Sequence, residues 1–252
     1  MPVSATSAVD KALDLIETVA RSDRPLRLSE IADALGMNRA TAYRVLGDLV
    51  RRRWVLRFGD HYVPGPAVLQ LSPAAAAQSL VLVARPVLDG LAQATGMMAN
   101  LQVLTADRSR VVDVVRPPRL EMISDLRDEL LPVHRFSGPL ALVAALDAPA
   151  RLPYLRPARE AGHPLDGPGG LLAALDGTAA GGFALQRGRE QPLVASLSRA
   201  LTAAGAGPIC AITLVGPSAE FADPRLPALR AELTTAVDRL GEALVTPRRQ
   251  HD

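Results

Sequence analysis

Apolar residues in the first fifty positions recur at helical spacing and predict three helices. The first covers residues 9–20, and the second covers 28–35 and ends at Gly36, because glycine accepts a left-handed backbone without steric cost. Asn38 is suited to cap a third helix that runs from position 39 to about 52. The inward faces are expected to carry Val9, Ala12, Leu13, Ile16, Val19 and Ala20, then Leu28, Ile31, Ala32 and Leu35, then Ala42, Val45, Leu46 and Leu49.

A short hairpin is predicted directly after the third helix. Residues 54–57 and 61–63 have the composition of strands, and Gly59 between them supplies the turn. A helix-turn-helix followed by a hairpin is a winged helix, whose second motif helix presents polar groups to a DNA major groove. The alternative is an ordinary helical hairpin with a polar outer face.

The rest of the chain alternates short apolar runs with amphipathic helices, which predicts an α+β fold. A connecting helix precedes it, and Pro86 is expected to kink the next helix or to mark a new start. The predicted strands are 98–104, 111–115, 119–124, 182–186, 194–200 and 208–215, and the predicted helices are 80–95, 136–146, 149–155, 167–180 and 224–244.

Positive charge is concentrated in the predicted winged helix. The chain has a net charge of only +2, and basic and acidic residues balance from Leu80 onward. A local excess of arginine neutralises DNA phosphates, so the nucleic-acid surface is expected in the first domain alone. Against one acid, Asp48, the stretch from 39 to 57 carries Arg39, Arg44, Arg51, Arg52, Arg53 and Arg57.

The candidates for DNA contact lie at the start of the third helix and in the wing. Arginine offers a fork of donors to guanine or phosphate, which favours Arg39 and Arg44 over a merely solvated face. Half-burial of Tyr43 and solvation of His61 are equally compatible with the pattern. The full set is Asn38, Arg39, Thr41, Tyr43, Arg44, Arg57 and His61.

No motif in the sequence indicates catalysis, a metal or a cofactor. GxSxG, HExxH and paired CxxC motifs do not occur, and the glycine-rich segment 166–170 lacks the lysine of a phosphate-binding loop. His134 has no neighbouring ligand in the sequence, so a structural histidine is expected. Apolar runs are shorter than a membrane helix, the first residues do not form a signal peptide, and Cys210 is the single cysteine. We therefore expect a cytoplasmic protein that is not an enzyme.

Several segments spread along the chain match one family pattern, and they are VDKALDLIETVA, LSEIADALGMNRATAYRVLGDLV, GDHYVPGPAVLQL, LVLVARPVLDGLAQATG, LLPVH and ICAITLVGP. On these segments the chain resembles the IclR family of bacterial transcription regulators over almost its whole length. The resemblance implies a winged helix that dimerises on a near-palindromic operator, and a GAF-like domain that binds a small organic effector, often an aromatic or short carboxylic acid.

This resemblance completes the predicted architecture, which is α+β. It comprises a winged helix-turn-helix domain over 1–66, a connecting helix over 67–79 and a C-terminal GAF-like α/β effector-binding domain over 80–252. The expected partners are double-stranded operator DNA, a small organic effector and further copies of the chain, as a homodimer or a dimer of dimers. No membrane partner is expected.

The effector pocket implied by the resemblance departs from the family pattern. Where the family often has a cysteine this sequence has Ser196, and the family's acidic stretch is here 186–189, QRGR. A lining with so few acids predicts an uncharged or more apolar ligand, or none. Carried over by position, the lining is Leu120, Ile123, Ser137, Gly138, Gln186, Ser196, Thr213 and Val215.

Two function classes stay open at this point. The first is a transcription regulator whose operator binding responds to an effector. The alternative is a DNA-binding protein whose degenerate second domain only oligomerises, or an enzyme that uses the winged helix for docking. Operator binding with and without candidate ligands distinguishes them.

Overall fold

The chain folds into two units, residues 1–76 and 77–252, each with a core of its own. Within the described residues, the first unit is a helix-turn-helix with a three-stranded wing sheet, and the second is an α/β domain around a six-stranded sheet. The predicted α+β class is therefore confirmed. The computed structural model describes residues 7–22, 24–70, 73–188, 191–203 and 207–245.

The first unit places its wing sheet beside the three helices. The sheet has the order β1-β3-β2 with antiparallel pairing throughout. Strand β1 was not predicted, because two residues are too few to show an alternating pattern. In chain order the elements are α1 (Ala8–Ala20), β1 (Leu26–Arg27), α2 (Leu28–Ala34), α3 (Arg39–Arg51), β2 (Val55–Phe58), β3 (His61–Pro64) and α4 (Pro66–Gln70).

Local capping sets the boundaries of these helices. Ser7 Oγ accepts a hydrogen bond from the Asp10 N–H at 3.0 Å, and the Asp10 carboxylate accepts from the Ser7 N–H at 2.9 Å, so a capping box starts α1. Gly36 follows α2 with a φ of +58°. Asn38 Oδ1 accepts from the Ala40 N–H at 2.8 Å and starts α3, as the sequence predicted.

The predicted inward face of α1 is confirmed in part. Val19 is buried and Ala12 and Ile16 pack against the core, but Val9 and Leu13 are 67% and 52% exposed, and the buried Leu15 was not predicted. Apolar residues stand on both sides of this helix, so a stripe of helical width passes through either Leu13 or Leu15. The face of α3 is confirmed, with Ala42, Leu46 and Leu49 buried.

The second unit is an antiparallel sheet between two layers of helices. The sheet has the order β6-β5-β4-β9-β8-β7. Pro86 lies inside α5, which continues through it. The elements are α5 (Pro73–Thr95), β4 (Met98–Leu104), β5 (Ser109–Val115), β6 (Leu130–Leu131), α6 (Ser137–Ala144), α7 (Ala148–Glu160), α8 (Leu171–Gly181), β7 (Ala184–Arg187), β8 (Val194–Ala203), β9 (Gly207–Pro217) and α9 (Arg225–Val245).

The two faces of this sheet differ in chemistry. Along β8 and β9, Leu197 and Leu214 alternate with Ser198 and Thr213, and all four side chains are buried. Successive strand residues point to opposite faces, so one face is apolar and the other carries hydroxyl groups. The apolar face packs against α5 and α9. The hydroxyl face meets Ser137 at the start of α6.

The predicted strand over 119–124 is wrong. Residues 118–120 form a 3-10 turn, and β6 is the strand that pairs with β5 instead. Pro117 and Pro118 lack the backbone donors that a sheet requires. Arg116 Nη1 donates to the Ile123 carbonyl at 2.8 Å and holds the segment in a compact loop. The connection between β5 and β6, residues 116–129, is termed the β5–β6 loop.

Candidate functional site

The outer side of α3 is polar and open to solvent. Arg39, Tyr43 and Arg44 are exposed and Thr41 is half-buried. Tyr43 is 55% exposed, so it does not belong to the core. Because the opposite side of α3 is fixed in the core, this face presents two guanidinium groups and a phenol in defined positions. Such a helix is suited to enter a major groove.

The predicted contact residues that flank α3 are partly engaged within the unit. Asn38 uses its Oδ1 as the helix cap, which leaves its amide –NH₂ to meet a partner. In the wing, Arg57 Nε donates to the Gly59 carbonyl at 2.8 Å, which orients the exposed guanidinium. His61 Nδ1 lies 2.7 Å from an Asp60 oxygen, so this imidazole is held against the wing.

A cavity of about 200 Å³ opens on the hydroxyl face of the sheet in the second unit. Its walls come from β4, β7, β8, β9, the start of α6 and the β5–β6 loop. Seven of the predicted pocket residues line this one cavity. They are Ile123, Ser137, Gly138, Gln186, Ser196, Thr213 and Val215.

Leu120 does not line the cavity, which corrects one predicted residue. Its side chain is 2% exposed and packs with Met98, Ile123 and Leu131. The prediction carried this residue over by position from the family pattern. Residues 118–120 form a 3-10 turn, and in it the Leu120 side chain is part of the core.

The cavity also has polar walls that the sequence prediction missed. Asn100 and Gln102 lie two positions apart on β4 and therefore on the same face of the sheet. This spacing, two amides within an otherwise apolar strand, was the available signal. Ser124 and the exposed Arg135 also line the cavity, and Arg135 adds a positive charge.

A continuous set of hydrogen bonds begins at Gln102 under the cavity. Gln102 Nε2 donates to Asn100 Oδ1 at 2.9 Å and to Thr213 Oγ1 at 3.3 Å. Its Oε1 accepts from the Ser109 hydroxyl at 2.9 Å. Both amide protons and the carbonyl oxygen are used, so the orientation of this amide is fixed.

From Thr213 the hydrogen bonds continue through three serines. Thr213 Oγ1 lies 2.8 Å from Ser198 Oγ, Ser198 Oγ lies 2.7 Å from Ser137 Oγ, and Ser137 donates to Ser196 Oγ at 2.7 Å. A hydroxyl carries one proton. Because Ser137 gives its proton to Ser196, Ser198 donates to Ser137 and Thr213 donates to Ser198. The chain ends at Ser196, whose own proton none of these bonds uses.

Two further features shape the polar side of the cavity. Gln186 Oε1 is buried and has no hydrogen-bond partner among the described residues. Leaving such an acceptor unpaired costs about 1–3 kcal/mol, which a donor on a bound molecule would recover. Gly138 allows α6 to lie directly on Gln102, because a Cβ atom at position 138 would fall 2.2 Å from Gln102 Oε1.

The part of the chain that the structure describes has no cluster of metal-binding side chains and no reactive thiol. No group of three or more His, Cys, Asp or Glu side chains is placed to hold a metal ion there. Burial raises the pKa of Cys210 to about 12, so its thiol stays protonated at neutral pH. Likewise, no described helix is long and apolar enough to cross a membrane.

Family models and a curated relative match nearly the whole chain. The model of the IclR helix-turn-helix domain matches residues 8–57, and that of the bacterial transcriptional regulator IclR C-terminal domain matches residues 74–241. The HTH-type transcriptional regulator BhcR of Paracoccus denitrificans is 28% identical over 246 residues, which cover 92% of this chain and 85% of BhcR. The transcriptional repressor IclR of Escherichia coli is 24% identical over 144 residues, 55% of this chain and 53% of the repressor.

Solved structures share the fold. The crystal structure of the Thermotoga maritima IclR has a TM-score of 0.59 at 15% identity, covering 94% of this chain and 98% of that one. An IclR homologue from Microbacterium hydrocarbonoxydans, complexed with 4-hydroxybenzoate, has a TM-score of 0.54 at 21% identity, covering 94% of this chain and 100% of that one. Since the two family models together span most of the sequence, the chain belongs to the IclR family of bacterial transcriptional regulators and is a DNA-binding regulator of that type.

Proposed function

We propose that this regulator binds its operator through α3 and the wing, and that a small organic effector in the cavity of the second unit changes that binding. The observation that carries the proposal is a concave site in which polar groups converge beside apolar walls. Arg39 and Arg44 are assigned to bases or phosphates, with Thr41, Tyr43 and the Asn38 amide beside them. Arg57 and His61 are assigned to the backbone flanking the groove.

The hydrogen-bond pattern supports an effector that has two kinds of polar group. Ser196 has a proton to give and Gln186 Oε1 has a lone pair to fill, so the ligand carries both an acceptor and a donor. Ile123 and Val215 supply apolar walls that suit a ring or a short carbon chain. A small hydroxylated carboxylic acid meets these requirements, and 4-hydroxybenzoate, bound by the Microbacterium homologue, is one such compound.

A homodimer is part of the proposal, because one winged helix makes too few contacts for a specific site and two-fold symmetry doubles them. Val9 and Leu13, exposed on α1, supply apolar surface for pairing. Sedimentation of the DNA-free protein at micromolar concentration should give at least twice the chain mass. A monomer under these conditions would contradict the dimer. The proposal also places the protein in the cytoplasm, where the chromosome is, and gives it no catalytic role.

Calorimetric titration with 4-hydroxybenzoate and related hydroxy acids tests the effector site. Replacing Gln186 by leucine removes the orphan acceptor, and we expect it to weaken binding about tenfold. Gln191→Leu is the matched control, because Gln191 lies at the same cavity but is exposed to solvent. Equal affinities of Gln186→Leu and the wild type, or no binding by any compound in the series, would count against this ligand class.

A further inference from the structure

One buried carboxylate joins the wall of the cavity to α5. Asp113 on β5 has a side chain that is 2% exposed. Its Oδ1 accepts from Arg85 of α5 at 3.0 Å and from Arg127 of the β5–β6 loop at 2.9 Å. Arg127 also donates to the Val114 carbonyl at 2.9 Å. Arg85, Asp113 and Arg127 together form an arginine clamp, and withdrawing one arginine would leave a buried charge with only half of its partners.

The backbone on both sides of Arg127 is in the left-handed region. Leu126 has a φ of +54° and Asp128 a φ of +63°. Residues other than glycine adopt this region at a cost of about 1–2 kcal/mol each, and they persist there only when surrounding contacts hold them. The contacts in this case are the clamp, the bond from the Asp128 N–H to the Val111 carbonyl at 2.9 Å, and the turn bond from the Glu129 N–H to the Leu126 carbonyl at 3.0 Å, together with the neighbouring bond from the Val111 N–H to the Glu129 carbonyl at 3.2 Å. Loss of such contacts would let the segment leave the left-handed region.

Leu126 lines the cavity, next to the clamp residue in the sequence. A molecule in the cavity thus touches the strained segment directly. The same loop also reaches the end of α5, since Arg119 donates to the Gly96 carbonyl. At that end Arg225 donates to the Thr95 carbonyl at 2.7 Å. The β5–β6 loop is consequently attached to α5 at two points, near its middle and at its C-terminus.

We propose that the arginine clamp carries the state of the cavity to α5, the helix that leads from the first unit into the second. This inference rests on the proposed effector site. An occupant that displaces Leu126 lets residues 126–128 relax and withdraws Arg127 from Asp113. Asp113 is then a buried charge with Arg85 as its one remaining arginine, which destabilises the contact between β5 and α5. As a result, α5 becomes freer to move. A ligand shifts such an equilibrium only by its differential affinity for the two states, which contact with Leu126 supplies.

A double-mutant cycle read by hydrogen exchange tests the clamp without any ligand. Val215→Phe fills the cavity permanently and stands in for an occupant. In the wild-type background we expect it to speed amide exchange in α5 around Arg85 about fivefold or more, the lower range of allosteric coupling. In the Arg127→Gln background the same filling should leave α5 exchange unchanged, while residues 123–126 still respond.

The measured quantity is the change in α5 amide exchange when the cavity is filled. A merely structural role of Arg127 would alter the exchange rate of the unfilled protein and leave that change intact. Arg110→Gln is the matched control, because Arg110 is an exposed arginine on β5, the strand that holds Asp113. This variant should preserve the response of α5 exchange to filling. Arg127→Lys and Val194→Phe serve as second variants in case the first do not fold. Persistence of the α5 response without Arg127, or no α5 response to either filling in the wild type, overturns the clamp. Failure of the ligand titration would contradict the proposed effector while leaving this cycle to decide on the clamp.

Discussion

The outer face of α3 and the hydroxyl face of the large sheet are both polar, but they are built in opposite ways. On α3, Arg39 and Arg44 extend into solvent. Under the cavity, Gln102, Ser198 and Thr213 are buried, and each is hydrogen-bonded to the next. Exposed groups that share no partner contribute almost independently, whereas members of a buried network depend on one another. A change to one residue on the outer face of α3 should therefore leave its neighbours unaffected. A change to one residue of the buried network should also disturb the hydrogen bonds of the residues next to it.

The largest expected effect would come from forcing a methyl group into the buried network. Gly138→Ala places a Cβ against the Gln102 amide, which has no free direction in which to turn. We expect the free energy of unfolding to fall by about 3 kcal/mol, the sum of overpacking and lost hydrogen bonds. Urea denaturation measures this loss.

A second glycine in the same unit provides the control. A Cβ at Gly177 of α8 meets nothing within 4 Å, so Gly177→Ala should stabilise the protein by about 0.5–1 kcal/mol through helix propensity. If Gly138→Ala were as stable as the wild type, Gln102 would not be fixed, and the proposed contrast between the two surfaces would fail.

For a substitution on α3, the expected effect is confined to the affinity for DNA. Arg44→Ala should weaken binding to a duplex selected from a random pool by about 1–3 kcal/mol if the side chain reads a base. Its free energy of unfolding should stay within about 0.5 kcal/mol of the wild type, because the residue is exposed. Fluorescence anisotropy at fixed salt measures the first quantity and urea denaturation the second. Arg52→Ala at the far end of the helix is the control, and equal losses for both variants would remove Arg44 from base readout.

The smallest expected effect is a difference in stability between two variants of the hydroxyl chain, one altered in its middle and one at its end. Ser198→Ala interrupts the chain in its middle and leaves Ser137 and Thr213 each without one partner, so it should cost about 1–2 kcal/mol of stability. Ser196→Ala removes only the end and should cost about 0.5 kcal/mol. Thermal unfolding of the two variants measures the difference. The reverse order would show that Ser198 does not link Ser137 and Thr213 in the middle of one chain.

Features set by neighbouring residues were predictable from the sequence. The Asn38 cap, the buried side of α3 and the alternation on β8 and β9 all follow from local spacing. The resemblance supplied seven residues of the cavity lining, but not the Asn100 and Gln102 amides.

Contacts between distant positions were beyond the sequence patterns. Gln102 and Thr213 are 111 positions apart, and Arg85 is 28 from Asp113. Their hydrogen bonds depend on the order of the strands and on the packing of α5 against the sheet. Leu120 was wrongly assigned to the cavity lining, because the turn at the two prolines before it directs its side chain into the core.

The fixed Gln102 amide has a consequence for which compounds the cavity accepts. Its bonds to Asn100 and Ser109 keep Nε2 directed at Thr213 Oγ1, which fixes one end of the chain of hydroxyls. At the other end Ser137 donates to Ser196, so the Ser196 proton is the one left for a molecule in the cavity. Two molecules of identical shape that differ only in swapping a carbonyl for an ammonium group at this point are thus not equivalent. The pocket prefers the isostere that places an acceptor opposite Ser196.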